Sequence, residues 1–248
     1  MNRKLVFFVL AFLLVSGLLG CSDDKCFHAT GDYYVENRPL TDSVRRVVVD
    51  GEFDIYLTSG SKSSLTLKAG RSVLPFIESS INQGVLKITD ANQCEFFRDM
   101  GAPLEIYLTL PDLHELEFSS SGKVMSKGVL TWDTLRLNCL NGAGLIDVSY
   151  KSKVTSVQVH SGAEEVRLHG SSNQLYCYVV GYGPLDAALA PAGYVHVVHL
   201  GSNKAKVAVT SNGLLIADIR YTGDVFYQGT PSEINLIKSG SGELIKLK

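Results

Sequence analysis

Seven times between Ser119 and Leu244 the chain returns to a short corner of glycine and small polar residues. The corners are SSSGKV from Ser119, NGAGLI from Asn141, SGAEEV from Ser161, VGYGPL from Val180, LGSNKA from Leu200, RYTGDV from Arg220 and SGSGEL from Ser239. Their middle residues, Ser121, Ala143, Ala163, Tyr182, Ser202, Thr222 and Ser241, step by 22, 20, 19, 20, 20 and 19 residues. A fixed pitch near twenty is the mark of a stacked architecture. One turn of that length cannot bury its own apolar side chains, and neighbouring turns bury them for one another.

Between corners the residues alternate with period two, which is strand patterning. LYCYV (Leu175 to Val179), VHVVH (Val195 to His199), LIADI (Leu215 to Ile219) and INLIK (Ile234 to Lys238) are the clearest runs. Leu135, Leu137 and Cys139 continue the pattern one coil earlier, where a corner one residue late predicts a bulge. Stacking in register makes one ladder of Leu175, Val195, Leu215 and Ile234. Seven coils at about 4.8 Å give a rod of roughly 34 Å. Glycine at each corner allows a tight bend, and Ser or Asn there can bond the local backbone. The one candidate for a helical turn is VLPFIESSI, Val73 to Ile81, around Pro75. The expected fold is all-β: a parallel solenoid of about seven 20-residue coils over residues 112–248, preceded by a strand-rich portion over 44–111.

The other end of the chain carries a different signal. Arg3 and Lys4 precede an apolar run, Leu5 to Leu19, too short for a membrane span, and LLGC ends at Cys21. This resembles a bacterial lipoprotein signal over 1–20, with Cys21 as the lipidated residue and 21–43 as lipidated Cys and tether. SDDK directly behind it, Ser22 to Lys25, resembles the surface-export signal of Bacteroidetes lipoproteins. The expected location is the outer membrane, facing the cell surface, with periplasm-facing anchoring as the alternative. Removal of 1–20 leaves 21 basic and 25 acidic residues, a net charge of −4, so no basic surplus points to nucleic acid. Cys26, Cys94, Cys139 and Cys177 remain, and four cysteines allow three full pairings. Without a paired CxxC spacing they do not read as a zinc site, and Cys139 and Cys177 sit among apolar alternating residues as small buried hydrophobes.

The corners resemble those of the GIN domain, the auto-transporter adhesin head domain of many Bacteroidetes lipoproteins. The front half keeps that family's order as well: VVVDGEFDIYLTSG (Val47 to Gly60), LTLKAG (Leu65 to Gly70), GVLKITD (Gly84 to Asp90) and LEIYLTLPDLHELEFSSSG (Leu104 to Gly122). The resemblance runs from about Val44 to Leu247. It implies a right-handed parallel β-helix-like fold with the N-terminal strands packed against the coils, and an adhesin-like role. SGAEEV and LGSNKA depart from it by lacking the second glycine, so those two corners are expected to differ in shape.

No enzyme signature emerges. Acids recur after corners (Asp147, Glu165, Asp186, Asp224, Glu243) and could ladder along one edge, but solvated corner charges are the better explanation. His196 and His199 lie three apart on a strand and so face opposite ways, which prevents them from clasping one metal. His114, His160 and His169 have no ligand-like spacing, and no metal or cofactor is expected. If Leu175, Cys177 and Val179 point inward, Tyr176 and Tyr178 point out, with His196, Val198 and Ile216 beside them on the next coils. Such an aromatic strip is either covered, by the N-terminal strands or a second subunit, or is a ligand platform, since tyrosine stacks on sugar rings. Tyr182, Tyr194, Tyr221, Phe226 and Tyr227 are candidates to extend it. The reading is a non-catalytic envelope module that binds a glycan or a surface or matrix protein. Its alternatives are a self-associating structural protein and a carbohydrate-active β-helix enzyme.

Overall fold

The computed structural model describes residues 31–41, 43–92 and 103–247. The chain winds as a β-solenoid of about seven turns. Its strands join into one curled sheet. Four long strands show how a coil is made: β11 (Leu145–Val159), β12 (Glu165–Val179), β13 (Leu185–His199) and β14 (Ala205–Ile219). Each has 15 residues. The first half of each lies in one face of the flattened coil, here the back face, and the second half lies in the front face. The glycine corner then returns the chain to the back.

The front face runs β5 (Ile77–Asn82), β6 (Val85–Asp90), β2 (Arg46–Asp50), β8 (Glu115–Ser119), β10 (Thr134–Asn141), then the second halves of β11 to β14, then β16 (Glu233–Lys238). The back face runs β1 (Tyr33–Arg38), β4 (Ser64–Gly70), β7 (Leu104–Leu110), β3 (Phe53–Ser59), β9 (Lys123–Leu130), the first halves of β11 to β14, β15 (Val225–Gly229) and β17 (Leu244–Lys246). Pairing is parallel except where β1, β4 and β5 reverse at the N-terminal end. Parallel strands in successive coils put like positions above one another, so each inward position becomes a continuous row.

The expected ladder forms in register: Leu175 pairs with Val195, Val195 with Leu215 and Leu215 with Ile234. The adjoining row, Leu137, Val157, Cys177, Val197 and Ala217, is closed to solvent. Burying each such aliphatic side chain is worth about 1.5–3 kcal/mol. Cys139 and Cys177 are free thiols inside this core. They lie on strands separated by β11, so the fold holds them apart. Cys21, Cys26 and Cys94 lie outside the described residues. The late corner of the second coil does carry a register shift, between Cys139 and Asn141. The Pro75 segment forms one 3-10 turn, Leu74–Phe76, and then becomes strand β5 rather than continuing as helix.

The N-terminal strands extend the stack; they do not lie over its side. β2 pairs with β8 and β3 with β9, so they continue the same winding. The expectation that they cover the tyrosine strip is therefore not met. Instead β4, β5 and the 3-10 turn close that end, with Val73, Leu74 and Ile77 buried. The other end has no such closure. Ile234 and Leu236 occupy inward rows yet are 42% and 46% exposed, because no strand among the described residues stacks on the outer edge of β16.

Candidate functional site

Registration fixes which side chains project from the front face. Arg136, Ser156, Tyr176, His196 and Ile216 form one outward column, and Asn138, Gln158, Tyr178 and Val198 the next. Tyr194 stands in the column beside Tyr176, paired with Gln174 and Leu214. The rings pack as a cluster: Tyr176 to Tyr194 at 5.4 Å, Tyr176 to His196 edge-on at 6.3 Å, Tyr178 to His160 at 5.5 Å between centroids. All of Tyr176, Tyr178, Tyr194 and His196 are half-buried by one another and still open on their outer faces. The structure thus brings Tyr176, Tyr178 and His196 onto one surface, and no described residue covers it.

Of the candidate extensions, only Tyr194 joins. Phe226 and Tyr227 belong to β15, paired with Lys206 and Val207 on the back face. Tyr182 and Tyr221 are exposed at glycine corners, the former at 70%. Trp132 is buried and donates its indole N–H to the Leu110 carbonyl at 3.2 Å, so it packs the core where β9 turns into β10.

Beside Tyr176 the strip dips into a groove of about 590 Å³ lined by Glu115, Arg136, Ser156, Gln158, Gln174 and Tyr176, with Val154 at one side. The dip exists because Ser156 is short and sits between the long Arg136 and Tyr176. The Tyr176 hydroxyl donates to Gln174 Oε1 at 3.2 Å, which fixes the ring as a wall. Sequence reasoning finds Tyr176 but misses the other groove residues; the available signal is a set of polar side chains in the outward phase, one to three coils before Tyr176.

The back face differs in chemistry. Its outward column reads Tyr107, Tyr56, Met125, Asp147, Arg167, Asp186, Lys206 and Phe226, with the two tyrosines at the N-terminal end stacked at 4.7 Å. Charges of opposite sign therefore alternate across adjacent strands, which favours the pairing. Lys206 binds Asp186 at 2.9 Å and Arg167 binds Glu165 at 2.8 Å. Lys206 and the Ala188 amide keep the Asp186 carboxyl below its usual range despite burial. A depression of about 420 Å³ lies here, next to Leu189, but its acids and most of its cations are paired with one another. Asp224 accepts the Glu243 amide, and Glu243 pairs with Lys238. The recurring acids are thus partnered corner and ladder charges.

Two buried polar groups mark the corners that depart from the glycine pattern. Glu164 stands where the neighbouring corners have Gly144 and Gly183. Its side chain turns inward, and one carboxylate oxygen accepts the Gly144 amide at 2.9 Å while the other, Oε1, has no partner among the described residues. It fits because Gly142 lacks a side chain: a Cβ there would lie 2.5 Å from the carboxylate. Burial first, and then the charge of Glu52, push the Glu164 carboxyl up to about 7, against the opposing pull of the Gly144 amide. In the other departing corner, Asn203 holds its own shape by donating to the Tyr182 carbonyl, and its carbonyl is 2.7 Å from His199 Nε2. His199 is buried while His196 faces out, as their spacing requires. Among the described residues no three His, Cys, Asp or Glu side chains gather as a metal site, and no helix is long and apolar enough to cross a membrane.

A family model described as "Putative auto-transporter adhesin, head GIN domain" matches residues 45–231. Among solved structures, a putative adhesin from Bacteroides fragilis is similar with a TM-score of 0.80 at 20% identity, covering 89% of this chain and all of that one. A putative lipid binding protein from Parabacteroides distasonis (TM-score 0.65, 16% identity) and a putative adhesin from Parabacteroides merdae (0.63, 16%) each cover 89% of this chain and 99% of their own. At these identities the likeness shows the fold. A search of curated proteins gives no match.

Proposed function

Because the chain belongs to the family of the auto-transporter adhesin head, or GIN, domain, we propose that it is a non-catalytic, adhesin-like binding module of the cell envelope. Its contact surface is the front face around Tyr176, Tyr178 and His196, and its ligand is a glycan. The observation that carries this is the uncovered ring cluster of Tyr176, Tyr178, Tyr194 and His196 flanked by a polar groove. Aromatic faces cover the apolar side of a sugar ring, and amide and hydroxyl groups beside them bind its hydroxyls. In the same reading Cys21 carries lipid, and the closed end of the solenoid faces the membrane. Several acyl chains on one Cys hold far better than one.

The test is a glycan and matrix-protein binding screen on residues 22–248. Glycan binding by the natural protein, lost in the Tyr176→Ala, Tyr178→Ala double variant with the fold intact by circular dichroism, is the expected result. Binding that survives the double variant, or no glycan binding at all, contradicts the reading. The anchor is tested separately: labelled palmitate should enter the natural protein and not Cys21→Ala, and protease added to intact cells should remove the protein.

A second reading, self-association, is favoured by one observation: all six residues of the edge strand β16 are exposed, including Ile234, Leu236 and Ile237. Unpaired strand edges pair readily with other chains. Light scattering that shows a fixed oligomer, dissociated by Ile237→Lys and accompanied by no glycan binding, would select it.

A further inference from the structure

We propose that the groove beside Tyr176 is a subsite for a pyranose that bears a carboxylate, with Arg136 as the residue that holds the acid group. This rests on the glycan reading above and narrows it to one class of sugar. Arg136, Ser156 and Tyr176 occupy the same outward column on three successive strands. Arg136 and Tyr176 are therefore two strand spacings apart, about 9.6 Å, with only a serine between. The space over Ser156 is a slot walled by a phenol ring on one side and a guanidinium on the other. A single sugar ring laid against Tyr176 presents its far edge to Arg136.

The charge state of the slot points to an anion. Among the described residues the Arg136 guanidinium makes no hydrogen bond and no ion pair. Its neighbour in the column, Glu115, lies 3.8 Å from Arg46 on the far side, and Glu117 binds Arg46 at 3.0 Å and Asn138 at 3.1 Å. The other long arginines of the solenoid have their carboxylates: Arg167 has Glu165 and Arg220 has Asp218. Arg136 thus presents its planar fork of donors to the groove, and that fork matches a carboxylate with two parallel bonds. Ser156 and Gln158 are 3.4 Å apart on the floor, and with Gln174 they offer donors and acceptors for ring hydroxyls. The back-face depression lacks this combination, because its arginine and Lys206 are neutralised in place.

The experiment compares matched oligosaccharides by calorimetry on residues 22–248: a hexuronate oligomer, a sialyl oligosaccharide, and their neutral counterparts. The natural protein should bind one acidic series about ten-fold or more tighter than its neutral counterpart, since a hydrogen-bonded charge pair is worth at least that factor. The preference should shrink with added salt. Which of the two series binds identifies the source of the carboxylate. Arg136→Gln should reduce the preference to near unity while leaving the melting temperature unchanged. Ser156→Tyr, which fills the slot, should abolish binding of acidic and neutral sugars alike. An acid preference that survives Arg136→Gln overturns the proposal, as does tighter binding of neutral sugars by the natural protein. In that second outcome a loss of binding in Tyr176→Ala would leave the glycan reading standing. Binding of neither series would overturn both.

Discussion

Glu164 is one of two residues at which the corner pattern breaks, and its surroundings make it sensitive to pH. Its folded carboxyl titrates near 7, above the ordinary value of 4.5. The folded protein therefore holds a proton between those limits that the unfolded chain has lost. Stability from this group is fully present below about pH 4.5 and declines as pH rises through about 7. At 1.36 kcal/mol per pH unit the total is roughly 3 kcal/mol. Glu164→Gln keeps the acceptor for the Gly144 amide and has no charge to desolvate. Urea melts should show the variant gaining on the natural protein between pH 5 and pH 8; parallel curves would contradict the account. The two core thiols make a matching prediction. Burial pushes Cys177 up to about 12, and burial together with Glu164 does the same for Cys139. Neither should be alkylated by iodoacetamide at pH 8 in the folded protein, and both should react in urea, read by peptide mass mapping. Glycine has its own reason at Gly162: φ is +94° and a Cβ would fall 1.8 Å from the Gly142 carbonyl oxygen. Gly162→Ala should cost more than ~1 kcal/mol.

At the scale of strands, the rows are legible in the sequence because two periods, two and about twenty, fix both the side and the height of a side chain. That is why Tyr176, His196 and Ile216 align from the residues alone. Phe226 and Tyr227 are misplaced by the same reasoning. Each coil has two faces, and the bend between them has no shared signature. It falls near Gly170, Pro191, Asn212 and Gly229 on successive coils, with register shifts between β13 and β14. Only the glycine corner repeats in sequence, so nothing there tells the back-face half of a coil from the front. The inward turn of Glu164 is illegible because it depends on the absent side chain of Gly142, a coil away. The same stacking logic makes β16 a liability. Ile237→Lys places a charge on the outward side of an unpaired edge and should lower concentration-dependent light scattering without altering the melting temperature by more than a few degrees.

For the whole molecule, the asymmetry between its ends sets the order of opening. Nearest-neighbour stacking makes stability local, and an end coil has one neighbour where inner coils have two. The N-terminal end is closed by β4, β5 and the Leu74–Phe76 turn, whereas β16 and β17 are covered by nothing described. Hydrogen exchange should be fastest in β16 and β17 and slowest in the inner halves of β11 to β13. Over the coils of β11 to β14 the two faces differ: alternating ion pairs behind, and in front a ring cluster beside the Arg136 guanidinium. Their difference supplies the most direct measurement. Glycan binding should be compared for Tyr176→Ala on the front face and Phe226→Ala on the back, both checked for native circular dichroism. The account predicts loss of binding in the first and natural affinity in the second; equal effects, or loss only in the second, would contradict it.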